Sequence, residues 1–133
     1  MKLRNLGVVV MAAVMSGCAM SPQDADKALV KAAFESSTPF EELYHQLTTP
    51  ATGELLCDQV YRSAIYPERG EFRVYYGIQS GGLAHTIALV HSVVYGFRSD
   101  NGTRIEIRNA QEPAFGTQRV PALTNFIETG RCE

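Results

Sequence analysis

Two stretches in the second half of the chain alternate apolar and polar residues with the period of a half-buried strand. Phe72, Val74, Tyr76 and Ile78 alternate with Arg73, Tyr75, Gly77 and Gln79, and Leu83, His85, Ile87, Leu89, His91, Val93, Tyr95 and Phe97 form a second series. Ser80-Gly81-Gly82-Leu83 joins them. A two-residue Gly-Gly turn there predicts Tyr76 opposite Ile87 and Val74 opposite Leu89, with the large apolar residues on one side. A strand unbroken from Leu83 to Arg98 would reach about 50 Å at ~3.3 Å per residue, so a bulge or bend is expected near Ser92 or Gly96. For the next turn, a two-residue Asn101-Gly102 loop would set Phe97 against Glu106 and Tyr95 against Arg108, mixing core and surface residues. A three-residue loop of Asp100, Asn101 and Gly102 pairs Phe97 with Ile105 and Tyr95 with Ile107, and is the form expected.

Before and after this meander the period changes to that of helices. Ser21-Pro22-Gln23-Asp24 has a capping serine, a first-turn proline and an acid three residues on, and Ala25, Ala28, Leu29 and Ala32 extend the reading to a helix over 22–36. Thr38-Pro39-Phe40-Glu41 repeats the start signal, with Phe40, Leu43, Tyr44 and Leu47 on one side until Thr48, Thr49 and Pro50. Residues 54–65 fit a helix or a strand; the spacing of Leu56, Cys57, Val60, Tyr61 and Ala64 favours the helix. Pro121 opens a last helix carrying Leu123, Phe126 and Ile127, and Gly130 stops it. The pattern predicts an α+β fold: a small two-layer sandwich of N-terminal helices, an antiparallel β-meander and a C-terminal helix, the helices covering the apolar face of the sheet.

The first eighteen residues are of a different kind. Met1-Lys2-Leu3-Arg4 is a cationic start, and an uncharged apolar run from Leu6 to Met15 stops at Ser16-Gly17-Cys18. That run is about half the ~20 apolar residues a membrane-spanning helix needs. Met15-Ser16-Gly17-Cys18 resembles the lipobox of bacterial lipoproteins, with Met15 where leucine is usual. The resemblance covers residues 1–20. It implies a signal peptide over 1–17, cleavage before Cys18 and diacylation of its thiol, with a lipidated N-terminus and anchor-proximal helix over 18–37 and one α+β domain over 38–133. Ala19 lacks the aspartate associated with inner-membrane retention in enteric-type lipoproteins, so the resemblance favours the outer membrane over the inner. A simple secretory signal or a buried N-terminal helix is the alternative reading.

With Cys18 acylated, Cys57 and Cys132 remain as an even pair in an oxidising compartment, where a disulfide is expected. Closing so long a loop is worth about 4 kcal/mol in the chain-entropy model. Neither cysteine has the spacing of a metal site, and no metal or other cofactor is expected.

Charge narrows the partners slightly. Without Lys2 and Arg4, 10 Lys and Arg stand against 14 Asp and Glu, a net of −4 that speaks against general nucleic-acid binding. Candidate chemistry is sparse. His85 and His91 fall about 20 Å apart along a regular strand, too far to share a metal ion. No serine sits in a Gly-x-Ser-x-Gly elbow. In the expected register Arg98 faces Arg104 and Arg108 shares their side, with Glu106 between. That is a candidate anion- or partner-docking patch for lipid phosphate, an anionic envelope component or an acidic protein; a solvated charge ladder is the plainer alternative. Tyr76, His85 and Tyr95 are a candidate pocket between helices and sheet. The resulting expectation is a non-catalytic envelope lipoprotein that docks on an envelope partner as an accessory, assembly or immunity-type factor. A periplasmic small-ligand-binding lipoprotein, a hydrolase or a lysozyme-inhibitor-like protein are the alternatives.

Overall fold

The alternating stretches do become sheet. The structure is a computed structural model that describes residues 21–49, 59–81, 86–109, 112, 115–116 and 118–131. Five antiparallel strands, β1 (Val30–Ser36), β2 (Val60–Tyr66), β3 (Glu71–Gly81), β4 (Thr86–Ser99) and β5 (Gly102–Asn109), lie in the order β1-β5-β4-β3-β2. Helices α1 (Pro22–Ala25), α2 (Phe40–Thr48) and α3 (Arg119–Thr129) complete an α+β fold. Cys18, Cys57, Cys132 and His85, with the leader and the cysteine pairing, lie outside the described residues.

Helices α2 and α3 share one face of the sheet. Phe40, Leu43 and Leu47 of α2 and Val120, Leu123 and Ile127 of α3 bury themselves against Phe72, Val74, Tyr76, Val94, Ile105 and Ile107. The α2 pattern is the amphipathic one read from the sequence, and Gly130 ends α3 in the left-handed conformation at φ 73°, its N–H returning to the Phe126 carbonyl. Helix α3 starts two residues before Pro121. The reason is Glu112, whose carboxylate accepts the N–H groups of Arg119 and Val120 at 2.6 Å each, satisfying first-turn donors that no local side chain caps.

The opposite face carries a second, smaller core. Ala25 is fully buried among Tyr75, Val90, Val93 and Tyr95, with Tyr61 and Phe97 partly covered. The N-terminal segment lies across this face, so the two-layer picture gains a partial third layer.

Three expectations are corrected. The helix over 22–36 ends at Ala25, and residues 30–36 form β1 along the free edge of β5. The Ser21 cap operates as expected, its hydroxyl accepting the Asp24 N–H at 3.2 Å, but pairing with β5 satisfies the later backbone groups in strand form and outweighs the helix propensity of alanine. The helix favoured over 54–65 is replaced at residues 60–65 by β2, the edge strand beside β3.

The third correction is of register, and it changes which residues share a face. Pairing of β3 with β4 ends at Gly81 opposite Thr86, so Gly81 belongs to the strand instead of a Gly-Gly turn, and Val74 faces Val94 instead of Leu89. The β4–β5 hairpin closes at Ser99 opposite Gly102 with Asp100 and Asn101 between, which sets Phe97 against Arg104, Tyr95 against Glu106 and Arg98 against Thr103. Phe97 and Tyr95 therefore do not pair with Ile105 and Ile107; Gly96 and Val94 do. The expected irregularity near Ser92 is present: Tyr76 pairs with Ser92 and Gly77 with Val90, leaving His91 as the extra residue of a bulge.

Candidate functional site

The second face of the sheet is where charged and aromatic side chains converge. Its rows follow from the registers. Across the middle run Arg62, Tyr75, Val93 and Arg108; then Arg73, Tyr95 and Glu106; then Glu71, Phe97, Arg104 and Glu35. Alternation puts every other residue of each strand on this side, so each guanidinium has an aromatic ring within reach.

The guanidiniums lie on those rings. Arg62 sits over Tyr75 at 5.0 Å, Arg73 and Arg108 over Tyr95 at 5.1 and 5.0 Å, and Arg104 over Phe97 at 4.4 Å. Tyr95 and Phe97 are themselves stacked, with centroids 6.2 Å apart. Each such contact is worth about 0.5–1 kcal/mol at a site open to water. Carboxylates tie the arginines together: Arg73 to Glu71 at 2.9 Å, Arg104 to Glu106 at 2.8 Å and Arg108 to the same Glu106 at 3.7 Å. Within this layer Glu71 and Glu106 sit low, 15% and 19% exposed, beneath the half-exposed Arg104, whereas Glu35 at the end of the same row is exposed and Asp26 is about as open as Arg73 and Arg108.

Asp26 fastens the N-terminal segment to the face. Its carboxylate accepts the hydroxyls of Tyr75, at 2.8 Å, and of Tyr95, and stands 3.9 Å from Arg73. Arg108 donates to the carbonyls of Asp26 and Ala28 at 3.0 and 3.5 Å. Burial, and next the Asp26 carboxylate, raise both tyrosine hydroxyls above their ordinary pKa of 10.0.

Of the predicted docking patch, Arg104 and Arg108 share this face but Arg98 does not. Arg98 points to the α2 side, where it donates to Glu41 at 2.6 Å and to the Pro67 carbonyl at 3.1 Å and lies over Phe40 at 4.7 Å. That hydrogen bond holds the Glu41 carboxyl below its ordinary range. The expected repulsion between Arg98 and Arg104 is therefore absent, because the two stand on opposite faces. The predicted pocket is likewise divided: Tyr76 is buried under the helices, whereas Tyr95 is on the arginine face.

Arg62, Arg73, Glu71 and Asp26 join this face without having stood out as candidates in the sequence. Arg73 sits between strand residues of the clearest alternation and marked its own face as polar, so its place was readable. Asp26 carries no local signal, since its partners are 49 and 69 residues away.

Elsewhere the surface holds an open hollow of about 570 Å³ lined by Glu35, Ser36, Ser37, Ser99, Asp100 and Asn101 beside the β4–β5 turn. His91, Ser92 and Asn109 form a buried hydrogen-bonded chain at the bulge, with Ser92 Oγ 2.8 Å from His91 Nδ1 and accepting Asn109 Nδ2 at 2.7 Å. Among the described residues no three His, Cys, Asp or Glu side chains are grouped to hold a metal ion, and no helix is long and apolar enough to cross a membrane. Compared with protein-family models, with curated proteins and with solved structures, the chain has no match.

Proposed function

We propose that this chain is a lipid-anchored protein of the bacterial cell envelope, held by Cys18 on the periplasm-facing side of a membrane. There it works without catalysis, as an accessory, assembly or immunity-type binding factor on an envelope partner. The observation that carries the reading is the leader: a cationic start, a short apolar run and Met15-Ser16-Gly17-Cys18 in succession. Ala19 favours the outer membrane over the inner. The oxidising compartment favours a bond between Cys57 and Cys132.

The binding part of the proposal rests on the arginine–aromatic face. Guanidiniums stacked on rings and tied by carboxylates are pre-oriented, so they lose little freedom on meeting an anionic surface. A small-ligand role would need a pocket other than the one expected from Tyr76 and Tyr95, which lie on opposite sides of the sheet.

The test is metabolic labelling with a palmitate analogue of wild type and Cys18→Ser, followed by co-purification from detergent-solubilised membranes. Labelling lost with Cys18→Ser, together with one reproducible envelope partner, supports the proposal. Equal labelling of both proteins removes its basis.

A further inference from the structure

The position of the N-terminal segment decides which way an anchored domain must face. Ser21 caps α1, and α1 lies on the arginine–aromatic side, with Ala25 buried on Tyr75, Val90, Val93 and Tyr95. Only three residue steps separate Cys18 from Ser21, a reach of at most ~11 Å at ~3.6 Å per residue. A diacylglycerol on Cys18 is thus tethered close to this face, while α2 and α3 lie beyond the sheet on the other side.

The groups exposed on the two sides agree with that geometry. On the anchor side Arg62, Arg104, Lys27 and Lys31 are exposed against Asp24 and Glu35, while Glu71 and Glu106 sit low beneath the arginines. Where the segment enters β1, Lys27 and Lys31 are exposed together with Leu29 and Val30, a mixture of bases and apolar side chains suited to lipid headgroups. The helical side exposes Glu41, Glu42 and Glu128 together with Arg98 and Arg131.

Resting on the lipoprotein reading, we propose that the arginine–aromatic face lies against the anionic phospholipid surface that holds the anchor. Arg62 and Arg104, with Lys27 and Lys31, meet lipid phosphates, and α2 and α3 are turned outward to the periplasm.

The experiment uses the intact protein extracted from membranes and reconstituted into vesicles of phosphatidylethanolamine, with either phosphatidylglycerol or phosphatidylcholine as the second lipid. Arginines are modified with phenylglyoxal and read by peptide mass spectrometry, which also gives the mass of the N-terminal peptide. The expected result is an acylated Cys18, with the exposed Arg62 and Arg104 modified several-fold more slowly in the phosphatidylglycerol vesicles. The difference should shrink in high salt, and Arg98 and Arg119 should react equally in both. With Cys18 acylated, equal rates for the face arginines in the two membranes overturn the orientation, leave the proposed function standing and assign the face to a protein partner. Selective slowing of Arg98 and Arg119 overturns it in favour of the opposite side. A Cys18 without lipid overturns this proposal and the proposed function together.

Discussion

The Asp26 carboxylate accepts the Tyr95 hydroxyl from 69 residues away, and accepts Tyr75 as well. Both rings are almost fully buried, so Asp26→Ala leaves two buried hydroxyls without their acceptor. The expected loss is about 2 kcal/mol, with Asp26→Asn losing less because it retains an oxygen acceptor. Urea unfolding of both variants checks the order.

The same arrangement makes stability sensitive to alkali. The Tyr75 and Tyr95 hydroxyls, raised by burial and then by Asp26, keep their protons in the folded chain at pH values where the unfolded chain has lost them. Stability from this source is complete below the ordinary value of 10.0 and falls as pH rises above it, since the unfolded state then binds fewer protons. Unfolding midpoints between pH 8 and 11 should stay level and then fall beyond about 10, and Tyr95→Phe should fall less steeply.

Phe72 and Gly96 are paired residues of β3 and β4 on the helical face, and the ring of Phe72 lies over the glycine. A methyl group at Gly96 would come 2.2 Å from that ring, in a fully buried position. Gly96→Ala should destabilise the fold by about 1–3 kcal/mol, the range for overpacking a core. Phe72→Leu, harmful alone, should cost less in the Gly96→Ala background; a double-mutant cycle measures that coupling.

The legible part of the fold was its alternation. Val74, Tyr76 and Val94 lie in strands, α2 and α3 bury the residues their spacing marks, and the bulge falls beside Ser92. Faces were harder to read because this sheet is covered on both. Tyr95 and Phe97 are large and apolar, yet they stand opposite the main core, sheltered by guanidiniums and by α1. Where both faces bury rings, size no longer tells inside from outside, and a one-residue change of register exchanges them. Helix or strand at residues 30–36 was likewise decided by the distant β5, which no local pattern near Lys31 records. The cluster around Asp26 could not be read for the same reason, whereas Arg104 and Arg108 were legible as one patch because they alternate on a single strand.

Arg104 tests the corrected register directly. In the structure it faces Phe97 and holds Glu106, with no like charge opposite to relieve. Arg104→Gln should therefore lower stability slightly, by about 0.5–1 kcal/mol, the worth of one exposed cation–π contact with its weak ion pair. A gain in melting temperature would instead indicate the discarded register, with Arg98 across from it.

Both the anchor and the orientation depend on Cys18, whose state is measured by the intact mass of the protein taken from the membrane fraction. The predicted species begins at Cys18 and carries a diacylglycerol on the thiol. A chain that retains residues 1–17, or one that begins at Cys18 with an unmodified thiol, would contradict the anchor and the membrane-facing orientation built on it.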